Sequence, residues 1–283
     1  MKKQILSRFL AALPFIAMAL TAALPALADG ISQPWEIQMQ PAASPVAERM
    51  HEFHTLLLWI IGGVTVFVGI LLLIVIFRFN KWVNPKPALF AHNTVLEVLW
   101  TVVPIVILLV IAVPSFKLLY YVDRVPPSEM TLKVVANQWY WTYEYPDQGG
   151  ISFTSNLIPE QDIDPKKGQI RLLSTDNPLV LPVETTIQII VASNDVMHSF
   201  TVPSMGIKKD AVPGRLNETW VRIEKPGTYF GQCSQICGKN HAFMPIEIRA
   251  LSKDDFNAWV VEAKKKYGVS EPTAEKSKAE DKK

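Results

Sequence analysis

The stretch Cys233-Ser234-Gln235-Ile236-Cys237-Gly238-Lys239-Asn240-His241-Ala242-Phe243-Met244 holds the only two cysteines of a 283-residue chain. They are spaced C-x3-C, with His241 after three further residues and Met244 after two more. Two thiolates, an imidazole and a thioether this close together form a soft donor set, which suits copper far better than magnesium or calcium. His198 is the only other histidine in the C-terminal half. One cysteine, two histidines and a weak methionine would describe a mononuclear blue-copper site, and here there is one thiolate too many. If both sulfurs bridge two metals, every donor finds a use. His198 and His241 then terminate one metal each, Met244 weakly completes one, and a backbone carbonyl between the cysteines, that of Gln235, completes the other. Two plainer readings compete. A cysteine pair in an exported chain is by default a disulfide, and two cysteines with two histidines also satisfy tetrahedral zinc. Neither uses Met244.

Around this loop, the sequence beyond Tyr121 is a succession of short runs rich in Val, Ile, Thr and aromatics, parted by Pro, Gly, Asn and Asp. Leu132–Ala136, Gln169–Leu173, Thr186–Ala192, Thr219–Ile223 and Met244–Ala250 read as strands, and repeated short strands with turn signals predict a sandwich or barrel. The unit, residues 121–250, is long enough to close one core. In Trp139-Tyr140-Trp141-Thr142-Tyr143-Glu144-Tyr145 the aromatics alternate, which by itself predicts the two faces of a strand. Ser252-Lys253-Asp254-Asp255 is a capping box opening a helix to about Lys266, within a C-terminal segment 251–268. Phe256, Val260 and Ala263 share one face of it. Residues 269–283 show no apolar periodicity and are expected to be a disordered tail.

Upstream, Met1–Ala28 places Lys2, Lys3 and Arg8 ahead of the apolar run Phe9–Leu20 and closes with Ala26-Leu27-Ala28, the anatomy of a cleaved signal peptide. A polar extracytoplasmic segment, residues 29–50, leads to a transmembrane hairpin over residues 51–120. Leu56–Phe77 carries no charge and as a helix covers ~33 Å, enough to cross a hydrocarbon core of ~30 Å. The second span runs from about Val98 to Leu119, interrupted only by Lys117. Its Pro104 and Pro114 are tolerable where neighbouring helices re-satisfy the backbone. Arg78, Lys81 and Lys86 in the connection, with no acid before Glu97, put that connection in the cytoplasm and the C-terminal domain outside. A net charge of +2 and the lack of a basic stripe argue against a nucleic-acid partner.

Four segments carry a resemblance: G-Q-C-S-Q-I-C-G-x-x-H-x-F-M-P at Gly231–Pro245, D-V-M-H-S-F at Asp195–Phe200, D-A-V-P-G-R at Asp210–Arg215, and H-N-T-V-L-E-V-L-W-T at His92–Thr101. Through them the chain resembles subunit II of the cytochrome c oxidases over most of His51–Arg249. The resemblance implies a membrane-anchored all-β fold in which the two-helix transmembrane hairpin is followed by a cupredoxin-type Greek-key β-barrel. It implies a dinuclear CuA centre of two copper ions on His198, Cys233, the Gln235 carbonyl, Cys237, His241 and Met244. Electrons from cytochrome c would enter at Trp139, with Glu144, Asp147, Asp176 and Asp195 as docking acids. They would pass to the haem of catalytic subunit I, which with further oxidase subunits reduces oxygen to water and pumps protons. Glu97 would lie at the mouth of that subunit's proton-uptake channel, although an acid at a helix amino terminus is also favourable in itself. The implied location is the bacterial inner membrane with the β domain in the periplasm.

Two positions depart from the family pattern. Gln235 stands where most relatives carry a glutamate that reaches a magnesium or manganese ion at the subunit I junction, which puts that ion in doubt. Asn194 stands where another acid is common. With no C-x-x-C-H motif the electron donor must be a separate protein. A membrane-tethered copper chaperone or thiol oxidoreductase would show one span and an early cysteine pair, and the related quinol-oxidase subunit lacks the cysteines.

Overall fold

The computed structural model describes residues 30–86, 88 and 90–268, so the expected signal peptide and the 269–283 tail lie outside the described residues. Among the described residues two long helices precede the strands, α1 (Pro45–Arg78) and α2 (Thr94–Asp123). At ~1.5 Å per residue they extend ~51 and ~45 Å, so both run past the edges of a ~30 Å hydrocarbon core. Each start is capped by its sequence. The Ser44 Oγ accepts from the Ala47 N–H (3.1 Å), and Asn93 Oδ1 accepts from the N–H groups of Val95 and Leu96. Pro104 and Pro114 sit inside α2 without ending it. The helices expose apolar side chains along their lengths, Phe77 and Leu108 among them, as lipid-facing spans must.

Ten strands follow: β1 (Met130–Asn137), β2 (Tyr140–Tyr145), β3 (Ile151–Ser155), β4 (Leu179–Pro182), β5 (Thr186–Ser193), β6 (His198–Val202), β7 (Ile207–Ala211), β8 (Asn217–Arg222), β9 (Gly227–Cys233) and β10 (Pro245–Leu251). They form two five-stranded sheets, ordered β3-β2-β1-β5-β8 and β4-β10-β9-β6-β7. Pairing is antiparallel except for β1 with β5 and β4 with β10. The chain therefore crosses repeatedly between the sheets, giving a Greek-key sandwich that closes part-way to a barrel. On one side Asn217 Nδ2 on β8 donates to the Asp210 carbonyl on β7 (2.7 Å). Elsewhere Tyr145 of β2 bridges the layers, its hydroxyl donating to Val180 O (2.9 Å) and accepting from Val180 N (3.1 Å).

The core follows the period of two that strands impose. On β5, Ile187, Ile189 and Val191 are fully buried while Thr186, Gln188 and Ile190 face outward; on β2, Trp141, Tyr143 and Tyr145 are all at 0% exposure. Helix α3 (Lys253–Tyr267) is capped by Ser252, whose Oγ accepts from Asp255 N (3.1 Å), and it buries Phe256 and Ala263. Trp259 on α3 packs 5.2 Å from Tyr145, and Tyr267 stacks 4.6 Å from Phe153. Gln169–Leu173, which reads as a strand in the sequence, is a turn. The N–H groups of Leu173 and Ser174 both donate to Ile170 O (3.1 and 3.0 Å), and Leu172 has a φ of 66°. Those donors are thereby lost to any sheet ladder.

The sandwich is seated on the ends of both long helices. Ala43 N donates to Ser204 O (2.7 Å), and the Ser44 hydroxyl donates to Met205 O (2.8 Å). At the end of α2 the Tyr121 ring meets Trp220 edge-on at 5.4 Å, and Trp220 Nε1 donates to Tyr121 O (3.3 Å).

Candidate metal centre

β9 delivers Cys233 and β6 delivers His198; the two strands pair antiparallel, with Phe200 opposite Cys233. The loop from Cys233 to β10 then folds back, held by Cys233 N on Met244 O (3.0 Å), Ser234 N on Ser199 O (3.1 Å) and His241 N on Gly238 O (3.2 Å). Both cysteines are free and buried, with Sγ atoms 3.8 Å apart. His198 Nδ1 lies 3.9 Å from Cys233 Sγ, His241 Nδ1 3.6 Å from Cys237 Sγ, and the Gln235 carbonyl oxygen 3.3 Å from Cys233 Sγ. Met244 is buried directly beside Cys233.

These separations can be tested against metal bond lengths. One ion can hold two sulfurs only within about 4.6 Å, twice a bond of ~2.3 Å, and a sulfur and a nitrogen only within about 4.4 Å. All the measured pairs fall inside those limits. The Sγ–Sγ distance is too long for a disulfide, whose bond is ~2.05 Å. Two cysteine sulfurs with an imidazole nitrogen beside each fit a soft-metal site.

The electrostatics agree with a cation between the sulfurs. Burial opposes ionisation of Cys233, but the His198 ring, the backbone at Ser199 and Gln235 and the His241 ring outweigh it and bring its thiol down to about 6. Burial pushes Cys237 up to about 12, and the neighbouring Cys233 charge adds to this. Two thiolates this close repel, and a positive ion relieves that repulsion. His198 is fully buried and its Nε2 is 2.8 Å from Asp195 Oδ1. That carboxylate fixes the ring so that Nδ1 faces Cys233, the usual arrangement behind a metal-ligating histidine. Burial works against the Asp195 charge, yet hydrogen bonds from His198 and from the Val196 and Gln138 N–H groups hold its carboxyl below the ordinary range.

Trp139 sits half-buried at the β1–β2 turn, directly against the loop. Its Nε1 donates to Cys237 O (3.3 Å), and Gln138 Nε2 donates to the same oxygen (2.8 Å). Gly238 (φ 125°) makes room for this: a Cβ there would lie 3.0 Å from the indole ring. Gln138 and the orienting role of Asp195 are missed by sequence reasoning; the i, i+3 spacing of Asp195 and His198 was the available signal for the second.

The four acids do not form one cluster around Trp139. Asp195 is bound to Gln138 N (2.6 Å), next to the indole. Glu144 pairs with Lys133 (2.9 Å), and Asp147 accepts from Thr131 N (2.6 Å) at the far end of β2, roughly 20 Å away at ~3.3 Å per residue. Asp176 accepts from the N–H groups of Asn156 and Asn177 (both 2.7 Å). Glu97 accepts from Asn93 N (3.2 Å) and so completes the cap of α2. On the metal loop Ile236 (81% exposed), Phe243 and nearby Met197 turn apolar side chains outward.

Residues 130–251 match the family model described as the periplasmic domain of cytochrome c oxidase subunit II, and residues 32–118 match its transmembrane domain. A probable cytochrome c oxidase subunit 2 of Rickettsia bellii is 49% identical over 232 residues, 82% of this chain and 86% of the relative. One from Rickettsia prowazekii is 50% identical over 226 residues, 80% of this chain and 72% of the relative. The crystal structure of the periplasmic domain of subunit II of Bradyrhizobium japonicum cytochrome oxidase is 48% identical and covers 51% of this chain and 99% of that one, with a TM-score of 0.47.

Proposed function

The chain belongs to the subunit II family of the cytochrome c oxidases, and on that premise we propose that it takes electrons from reduced cytochrome c and hands them to the haem of catalytic subunit I. The observation that carries the reading is the buried pair of free thiols 3.8 Å apart with one imidazole nitrogen beside each. Cys233, Cys237, His198, His241, Met244 and the Gln235 carbonyl would together hold two copper ions. When bound, the pair supplies a one-electron couple shared over two metals.

The remaining work falls to the chain's own residues. Asp195 holds His198 in one orientation, and the backbone bonds across the loop keep both sulfurs in place, so that little has to rearrange when charge changes. Trp139 links the outer face of the sandwich to the Cys237 carbonyl through one hydrogen bond, a short covalent and hydrogen-bonded route for an incoming electron. Asp195 adds negative charge next to that route, while Asp147 and Asp176, set apart from it, and Glu144, already paired with Lys133, would act on a basic partner only at long range. The outward apolar side chains Ile236 and Phe243, beside the half-exposed His241, form the face that meets subunit I. Glu97, at the opposite end of α2, serves the proton-uptake mouth. Oxygen reduction and proton pumping belong to the partner subunits, and the β domain works on the periplasmic side of the bacterial inner membrane.

The test is single-turnover kinetics on the assembled oxidase. Trp139→Ala should slow electron entry severely while leaving cytochrome c affinity nearly intact. Transfer at the unaltered rate in this variant would refute the route.

A further inference from the structure

Where the long helices emerge beneath the sandwich, a cavity of about 530 Å³ is lined by Arg49, Lys117, Tyr120, Tyr121 and Arg124. It brings three cations together with no carboxylate in its lining. None of the three has an ion pair among the described residues; the nearby Asp123 is engaged by Lys209 (3.4 Å). The Arg49 guanidinium lies 3.5 Å over the Tyr121 ring and that of Arg124 5.4 Å over Tyr120. Lys117 and Tyr121 share one face of α2 at i, i+4, Arg124 is the extended residue that caps the end of that helix, and Arg49 joins them from α1.

The depth of this cluster identifies its ligand. The uncharged run of α2 ends at Phe116 and that of α1 begins at Leu56, two turns below Arg49. Lys117 thus sits at the hydrocarbon edge and the two arginines just above it, at the level of lipid headgroups, where tyrosines also gather. An adjoining recess shares Arg49 and Lys117; Glu48 and Glu52 also line it on α1, and it continues over Phe53, Leu56, Pro114 and Leu118. Cations above and an apolar trough below match a phosphate that carries acyl chains; a free phosphate would use only the upper part.

We propose that this cavity binds the headgroup phosphate of an anionic phospholipid of the outer leaflet, with its chains lying in the trough between α1 and α2. The lipid seals the seam between the helices at the point where the metal-bearing sandwich is seated, since Tyr121 touches both Arg49 and Trp220. The inference does not depend on the copper reading.

The experiment uses the full chain in detergent micelles, with bound lipid counted by native mass spectrometry. The probes are dioleoylphosphatidylglycerol, dioleoylphosphatidylcholine and inorganic phosphate. Phosphatidylglycerol should be retained preferentially, with retention weakened about fivefold for each cation removed. Arg124→Gln therefore loses about fivefold and the pair Arg49→Gln with Lys117→Gln about 25-fold, while Lys265→Gln on α3 changes nothing. Arg49→Lys keeps the charge and should retain most binding, which separates loss of a cation from disturbed packing. Equal retention of the two lipids, or unchanged retention in the double variant, would overturn the proposal. So would displacement of the lipid by millimolar inorganic phosphate, which would assign the cavity to the free ion.

Discussion

Replacing Gly231 by alanine should damage the metal centre from outside it. Gly231 lies on β9 two residues before Cys233 and next to Gln232, which pairs with Thr201 of β6. A Cβ at this position would overlap the Thr201 carbonyl oxygen and stand 3.0 and 3.1 Å from Thr201 C and Val202 Cγ2. The obstacle is backbone, so no side chain can rotate away, and the two strands must part. Overpacking costs typically 1–3 kcal/mol, and a backbone clash belongs at the upper end. Alanine regains about 0.5–1 kcal/mol of chain entropy over glycine, leaving a net loss of about 2 kcal/mol. With an m-value of about 2 kcal/mol/M, the urea midpoint falls by about 1 M. The same parting of β6 from β9 separates His198 from Cys233, so copper affinity should fall as well. The assay is urea unfolding of the purified chain by near-ultraviolet circular dichroism, followed by copper titration. A midpoint within about 0.2 M of the parent and unaltered copper binding would refute the claim that strand spacing sets the site.

Asp195→Asn should weaken copper binding about 10–100-fold in competition with a chelator, as loss of a partner behind a ligating histidine does, with stability little changed; unchanged affinity would mean that packing alone orients His198. Gln235→Glu should leave the copper spectrum intact and tighten a hard divalent ion at the subunit I junction, because a carboxylate adds charge that a neutral amide lacks. Manganese retained as tightly by the natural Gln235 oxidase during chelator titration would show that partner residues alone hold that ion.

The parts of this fold that were readable in sequence are those governed by local period and chemistry. The uncharged runs lie within α1 and α2, the alternation in Thr186–Ala192 and in the aromatic run gives β5 and β2, and Ser252 starts α3. What failed was competition between local patterns. Gln169–Leu173 has strand-like composition, but the Ile170 carbonyl captures two N–H groups and turns the chain. The parallel pairing of β1 with β5 could not be read, because it joins residues more than fifty positions apart with no turn to specify register.

At the centre, the spacing of Cys233, Cys237, His241 and Met244 was sufficient to suggest soft ligands, since all lie in one loop. The contribution of Gln138 was hidden, because it depends on the tertiary approach of the β1–β2 turn to Cys237. In sequence Asp195 reads as a docking acid, while the folded chain also uses it to orient His198. A single carboxylate can serve both ends, one oxygen on the ring and the net charge facing solvent.

Both thiolates, Cys233 and Cys237, would be needed to hold a pair of coppers. The most direct measurement is the copper-to-chain ratio of the purified, copper-reconstituted protein, read together with its electron paramagnetic resonance spectrum. Two coppers per chain sharing one delocalised unpaired electron are expected, with that signal lost in both Cys233→Ser and Cys237→Ser. One copper per chain with a blue mononuclear spectrum, or a signal surviving either substitution, would contradict the account.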